Sequence, residues 1–202
     1  YFASGLGGGG GAAAAAKTNG CKGDIHGMWW MCTDVEMTGT SDQGDTFVIT
    51  GTPGGLAQNT YTIFGDADDA MSIPAAYQEA VPFGANTGGV NPAFVAVSAS
   101  AAVDSWLTVG ITDGDASGSL GSVGIDWSAW TADAGIDVDN GAVFWMVPTD
   151  GPAGASVLAQ ITVESGAGWS LLMNAQGRAP ETNGAAGTGT GWPGEDYQAR
   201  GL

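Results

Sequence analysis

Along much of the chain every second residue is apolar, the mark of half-buried β-strands. The first such segment is Met28 to Thr38. Trp29, Met31, Thr33, Val35 and Met37 share one face, with Met28, Trp30, Cys32, Asp34 and Glu36 on the other. Its first half is apolar on both faces and its second half on one, so it is expected to be buried at one end and wet at the other. After the Gly39–Gly44 turn, Asp45 to Thr52 carries Phe47, Val48 and Ile49. Beyond Pro53-Gly54-Gly55, Asn59 to Phe64 reads as a third strand. Asp104 to Thr112 sets Ser105, Leu107, Val109 and Ile111 against Trp106, Thr108, Gly110 and Thr112. Ser122 to Trp130, Ala142 to Val147, Ser156 to Glu164 and Gly168 to Gln176 complete the series. Ala142 to Val147 is apolar on both faces, as a central strand is. Ser156 to Glu164 is expected to turn Val157, Ala159, Ile161 and Val163 inward.

Residues 70–103 break the alternation at Pro74, Pro82, Pro92 and the Gly84–Gly89 stretch. Tyr77, Phe83 and Phe94 are expected to pin this segment to the core, and Ala96 to Val103 allows a short helix. Roughly eight strands joined by Gly- and Asp-rich turns predict an all-β chain folded as a jelly-roll-like β-sandwich. The sandwich is expected over residues 21–177. Residues 1–20, with a glycine run and Ala12 to Ala16, form a low-complexity arm, and residues 178–202 an extended C-terminal arm with room for a final edge strand.

Composition adds constraints. The 202 residues are 44% hydrophobic and include eight Trp, enough for a substantial core and too apolar for disorder. The 36 Gly and eight Pro lie mainly between the apolar segments, where turns are needed. Four basic residues oppose 21 acidic ones, a formal charge of −17. Such a chain repels a phosphate backbone and an anionic membrane surface, which argues against both as partners. The charge keeps a protein soluble in a saline medium, and it also attracts divalent cations. No apolar run approaches the ~20 residues that span a bilayer. Cys21 and Cys32, eleven positions apart, are the only cysteines; in an oxidising compartment they staple the first strand to its lead-in. The acidity, scarce lysine and abundant Gly and Trp fit a protein exported from the cytosol, most simply to the exterior, with an organelle lumen as the alternative. The start at Tyr1 fits a processed product.

Candidate chemistry is sparse. Asp113, Asp115, Ser117 and Gly118 match the opening of an EF-hand loop, but its twelfth position is Gly124 where a bidentate Glu belongs, and strands flank it. An EF-hand is excluded. A simpler Ca²⁺ turn at Asp113, Asp115 and Ser117 remains as a reading, beside the commoner one of an acidic turn that binds nothing. The turns at Asp66, Asp68 and Asp69 and at Asp137, Asp139 and Asn140 are weaker cases. His26 is the only imidazole and no nucleophile motif accompanies it. Gly187-x-Gly189-x-Gly191 and Gly7–Gly11 precede no helix pattern, so neither is a phosphate loop. No catalytic residues are assigned and no cofactor is required. Of the eight Trp, Trp29, Trp106, Trp127, Trp145 and Trp169 fall within strand patterns, where core packing is the default. Trp130 and Trp192 lie near loops and are the candidates for stacking on a carbohydrate. Tyr1, Phe2 and Leu6 are candidate anchors on a protein partner.

Four stretches carry a further signal: Tyr61-Thr-Ile-Phe-Gly-Asp, Pro82-Phe-Gly-Ala-Asn-Thr with Asn91-Pro92-Ala93, Asp104-Ser-Trp-Leu-Thr-Val-Gly, and Val157-Leu-Ala-Gln-Ile-Thr-Val. In this order and spacing the region Asn59 to Gly177 resembles a largely uncharacterised family of acidic, exported, β-rich proteins of marine microalgae, with relatives in some bacteria. The resemblance implies export and a structural rather than catalytic role, and supplies no catalytic residues. The expected function is therefore a non-catalytic subunit that packs through its sandwich and arms into a lattice, a fibre or a multi-subunit complex. The alternatives are a carbohydrate-binding module and an accessory luminal subunit of a photosynthetic membrane complex.

Overall fold

The computed structural model describes residues 20–23, 29–55, 57–178 and 196–202. In chain order the strands are β1 (Gly20–Gly23), β2 (Trp29–Ser41), β3 (Gly44–Gly55), β4 (Thr62–Gly65), β5 (Met71–Ile73), β6 (Trp106–Leu107), β7 (Leu120–Val123), β8 (Ile136–Val138), β9 (Gly141–Trp145), β10 (Ser156–Val163), β11 (Asn174–Arg178) and β12 (Asp196–Ala199). A four-residue helix, α1 (Pro92–Val95), and three short 3₁₀ segments are the helical content among the described residues. No helix among them is long and apolar enough to cross a membrane.

The strands form two five-stranded antiparallel sheets, β1-β2-β3-β10-β6 and β12-β11-β4-β9-β7, and a small pair, β5-β8. This is an all-β sandwich. One core joins the sheets: Met31, Ile49, Leu158 and Ile161 from the first meet Ile63, Val143 and Ala175 from the second, all 0% exposed. The alternation of β2 is as its sequence demands, with Trp29, Met31, Thr33 and Val35 buried. Trp29 lies over β11 at Gly177, where a Cβ would come within 3.0 Å of the indole. The opposite side of β2 is solvated even where it is apolar: Trp30 is 44% exposed and lies across Gly54 of β3. The final edge strand is present as β12.

Five segments differ from their sequence patterns. Between Asp104 and Thr112 only Trp106 and Leu107 are in regular strand register with β10, while Thr108 and Gly110 N–H donate to the Leu158 and Val157 carbonyls, and every residue from Asp104 to Val109 is buried. The cause is a third layer. Residues 78–103 fold over the outer face of the first sheet at its β10-β6 end, where Val90, Ala101 and Trp106 form a second cluster with Phe83, Ala85, Val95 and Val157. Polar Thr108 and Thr162 are thereby 0% exposed. The helical turns in this layer are Pro92–Val95 and Ala99–Val103, on either side of the start expected at Ala96. In β10 a bulge between Val157 and Ala159 shifts the pairing. Leu158 takes the place expected for Val157 in the main core, and Val157 joins the second cluster. Finally, β7 ends at Val123. Asp126 then accepts from Ser128 N–H and opens a 3₁₀ turn over Trp127–Ala129, so Trp127 and Trp130 lie outside any strand. The strand expected over Gly168 to Gln176 begins only at Asn174. Before it, Leu172 bridges Ser72 of β5.

Candidate functional site

The acidic loop after β6 is built around Asp115. This residue has φ 42°, left-handed backbone that Asp tolerates because its short side chain bonds locally. Its Oδ1 accepts from Ser119 N–H at 2.9 Å and from the Ser117 hydroxyl at 3.2 Å, and its Oδ2 from Leu120 N–H at 2.9 Å. The carboxylate therefore closes the loop and starts β7. Ser117 is brought to Asp115. Asp113 stands apart on the surface, its backbone bridging Gly89. Among the described residues no three His, Cys, Asp or Glu side chains gather as a metal-binding group. The Gly65–Asp69 turn is similar: Asp66 accepts from Asp68 and Asp69 N–H and pairs with Arg200.

Among the described residues Asp104 is the most buried carboxylate, 0% exposed beneath the outer layer. Oδ1 accepts from Glu79 N–H at 2.7 Å and Oδ2 from Ala85 N–H at 2.6 Å. Burial pushes its pKa up to about 6 despite these bonds, and the Glu79 charge adds to the rise. Glu79 itself is held below the usual carboxylate range by the Ser100 and Tyr77 hydroxyls. Around Asp104 the chain is tied down on every side. Gln160 Nε2 donates to the Asp104 carbonyl at 2.8 Å, Thr162 N–H to Ser105 Oγ at 2.9 Å, and Ser105 N–H to the Tyr77 carbonyl at 3.1 Å. The Asp-Ser-Trp triplet is thus a clamp that fastens the outer layer to β10.

Trp130, a candidate for sugar stacking, is 2% exposed, in the main core, and its Nε1 donates to the Pro74 carbonyl at 2.8 Å. Trp192, Tyr1, Phe2 and Leu6 lie outside the described residues. Cys21 and Cys32 are joined by a disulfide between directly opposed residues of β1 and β2.

Two features had no sequence signal. The first is a trough made of two adjoining hollows of about 620 and about 500 Å³. Ala75, Ala132, Val163 and Glu164 border both hollows; Trp169 borders one end, and Asp42 and Asp133 the other. Its walls are held by backbone bonds: Ala76 N–H to the Thr131 carbonyl at 3.0 Å and Tyr77 N–H to the Thr162 carbonyl at 2.8 Å. The partly exposed Trp169 ring is held by Phe47, centroids 5.0 Å apart at 54°. The second is the outer face of the second sheet. The register places Phe64 opposite Ala142, Thr62 opposite Phe144 and Val123 opposite Ala142, so these side chains share one side. Val123 and Met146 are 60% and 61% exposed, and Phe144 and Met146 flank the bare floor at Gly121.

No protein-family model, curated protein or solved structure matches the chain.

Proposed function

We propose that this protein is a non-catalytic structural subunit, exported from the cytosol, that packs into a larger assembly through the outer face of its second sheet, with a second copy of the chain as partner. The carrying observation is the uncharged stripe of Phe64, Ala142, Phe144, Val123 and Met146 beside the open edge of β7. Copies with a formal charge of −17 repel each other, so contact is favoured where the surface carries no charge and apolar area can be buried. The Asp104 and Asp115 carboxylates support the same view, because they hold backbone N–H groups. The Cys21–Cys32 disulfide accords with an oxidising destination outside the cytosol. The family resemblance implies the same kind of role.

Sedimentation over a concentration series tests this. The weight-average mass should rise with concentration, and more steeply at high salt, where repulsion between copies is screened. Val123→Asp and Met146→Asp should remain at monomer mass while melting like the parent. A parent protein that is monomeric at every concentration and salt, or association unaffected by both substitutions, would overturn the proposal.

A further inference from the structure

We infer that the trough between Trp169 and Asp133 binds a neutral oligosaccharide chain. Several observations converge on that chemistry. The two hollows, about 620 and about 500 Å³, each lie within the roughly 300–1,000 Å³ of small-molecule sites. They share Ala75, Ala132, Val163 and Glu164 in their linings, so small side chains lie where they adjoin and a chain of rings can extend from one to the other. At one end Trp169 offers an indole fixed by Phe47, the apolar platform on which the C–H face of a sugar packs. Glu164 at the middle and Asp42 and Asp133 at the far end are acceptors for sugar hydroxyls.

The lining selects among ligands. Among the described residues it contains no Lys, Arg or His, so sulfated, phosphorylated or uronic sugars are repelled and a neutral one is accepted. The N–H groups of Ser72, Ala76 and Tyr77 along the trough are already bonded within the fold and offer a peptide backbone no donor there. A sugar needs only the side chains. Because the walls are held by those bonds, the site is formed before the ligand arrives, which limits the ordering cost of binding. The trough and the stripe used for assembly share no residue.

The test is calorimetric and fluorescence titration of the whole chain with neutral β-1,3- and β-1,4-linked gluco-, manno- and xylo-oligosaccharides, at low and high salt. At least one should bind saturably, independent of salt, and quench Trp fluorescence. Trp169→Ala should weaken binding by about tenfold or more, and Glu164→Gln should weaken it by a smaller factor. Trp169→Phe, which keeps an aromatic ring beside Phe47, should still bind while losing the fluorescence change, and so separates a lost platform from a lost fold. Trp30→Ala, on the solvated face of β2, should bind as the parent does. The inference is overturned if none of these sugars binds, if Trp30→Ala weakens binding as much as Trp169→Ala, or if an oligolysine peptide binds instead and is released by salt.

Discussion

Asp104→Asn should change how stability depends on pH rather than simply lower it. In the folded protein burial raises the Asp104 pKa from the ordinary 3.8 to about 6. As pH climbs between these values the unfolded chain has released the proton that the native state still holds, so stability falls with rising pH and is fullest below about 3.8. A rise of about two pH units, at about 1.4 kcal/mol each, makes the loss about 3 kcal/mol by neutral pH. Asn cannot ionise, so it abolishes this loss. It also accepts at one oxygen only, leaving the N–H of Glu79 or Ala85 without its present partner, at a cost of about 1–3 kcal/mol at all pH values. The variant should therefore be less stable than the parent near pH 4 and match or exceed it near pH 7. Asp45, Asp66, Glu79 and Asp126 have lowered pKa values and act in the opposite sense. Their contributions are lost as pH falls through those lowered values, outside the window between about pH 4.5 and 6 that belongs to Asp104. Urea titrations followed by Trp fluorescence at half-unit pH steps read the effect. If parent and variant curves run parallel from pH 4.5 to 6.5, Asp104 does not titrate there and the account of the clamp is wrong.

Two further outcomes test the framework beneath the site. Leu158→Ala should cost about 2–5 kcal/mol in urea unfolding, because the β10 bulge places this fully buried side chain in the main core; Val157→Ala, in the outer cluster, should cost clearly less, and the reverse order would refute the bulged register. Reducing or replacing the Cys21–Cys32 disulfide, which spans eleven positions, should lower stability by up to about 3 kcal/mol and speed amide exchange first in Gly20–Gly23, which among the described residues is an edge strand paired to β2 alone; exchange rising equally throughout the sheet would contradict that.

The sandwich was legible wherever a strand had one dry and one wet face. β2 follows its period-two pattern because, among the described residues, its other side is left largely to solvent. Legibility ended where a third layer intervened: the 78–103 segment buries both faces of 104–109, so alternation there no longer separates core from solvent. Trp127 and Trp130 were drawn into a strand because the Asp126-x-Ser128 cap, the true signal, lies inside an apolar run. The acidic loop shows the same limit for chemistry. Its composition invites a cation, yet Asp115 is engaged by backbone N–H groups whose convergence depends on a left-handed φ that composition does not reveal. The trough was invisible for a different reason. Its lining comes from segments around 42, 75, 132 and 163–170, each rich in Ala, Ser or Gly and unremarkable alone. The stripe on the second sheet likewise depends on the register that sets Phe64, Ala142 and Val123 on one side.

The central claim is that copies of the chain meet through that stripe. Hydrogen–deuterium exchange of the same protein, dilute and concentrated, addresses it by location. Concentration should slow exchange in Leu120–Val123 and Gly141–Trp145 and leave Trp29–Ser41 unchanged. Exchange that is independent of concentration throughout, or slowed in β2 and not in β7 and β9, would contradict the account.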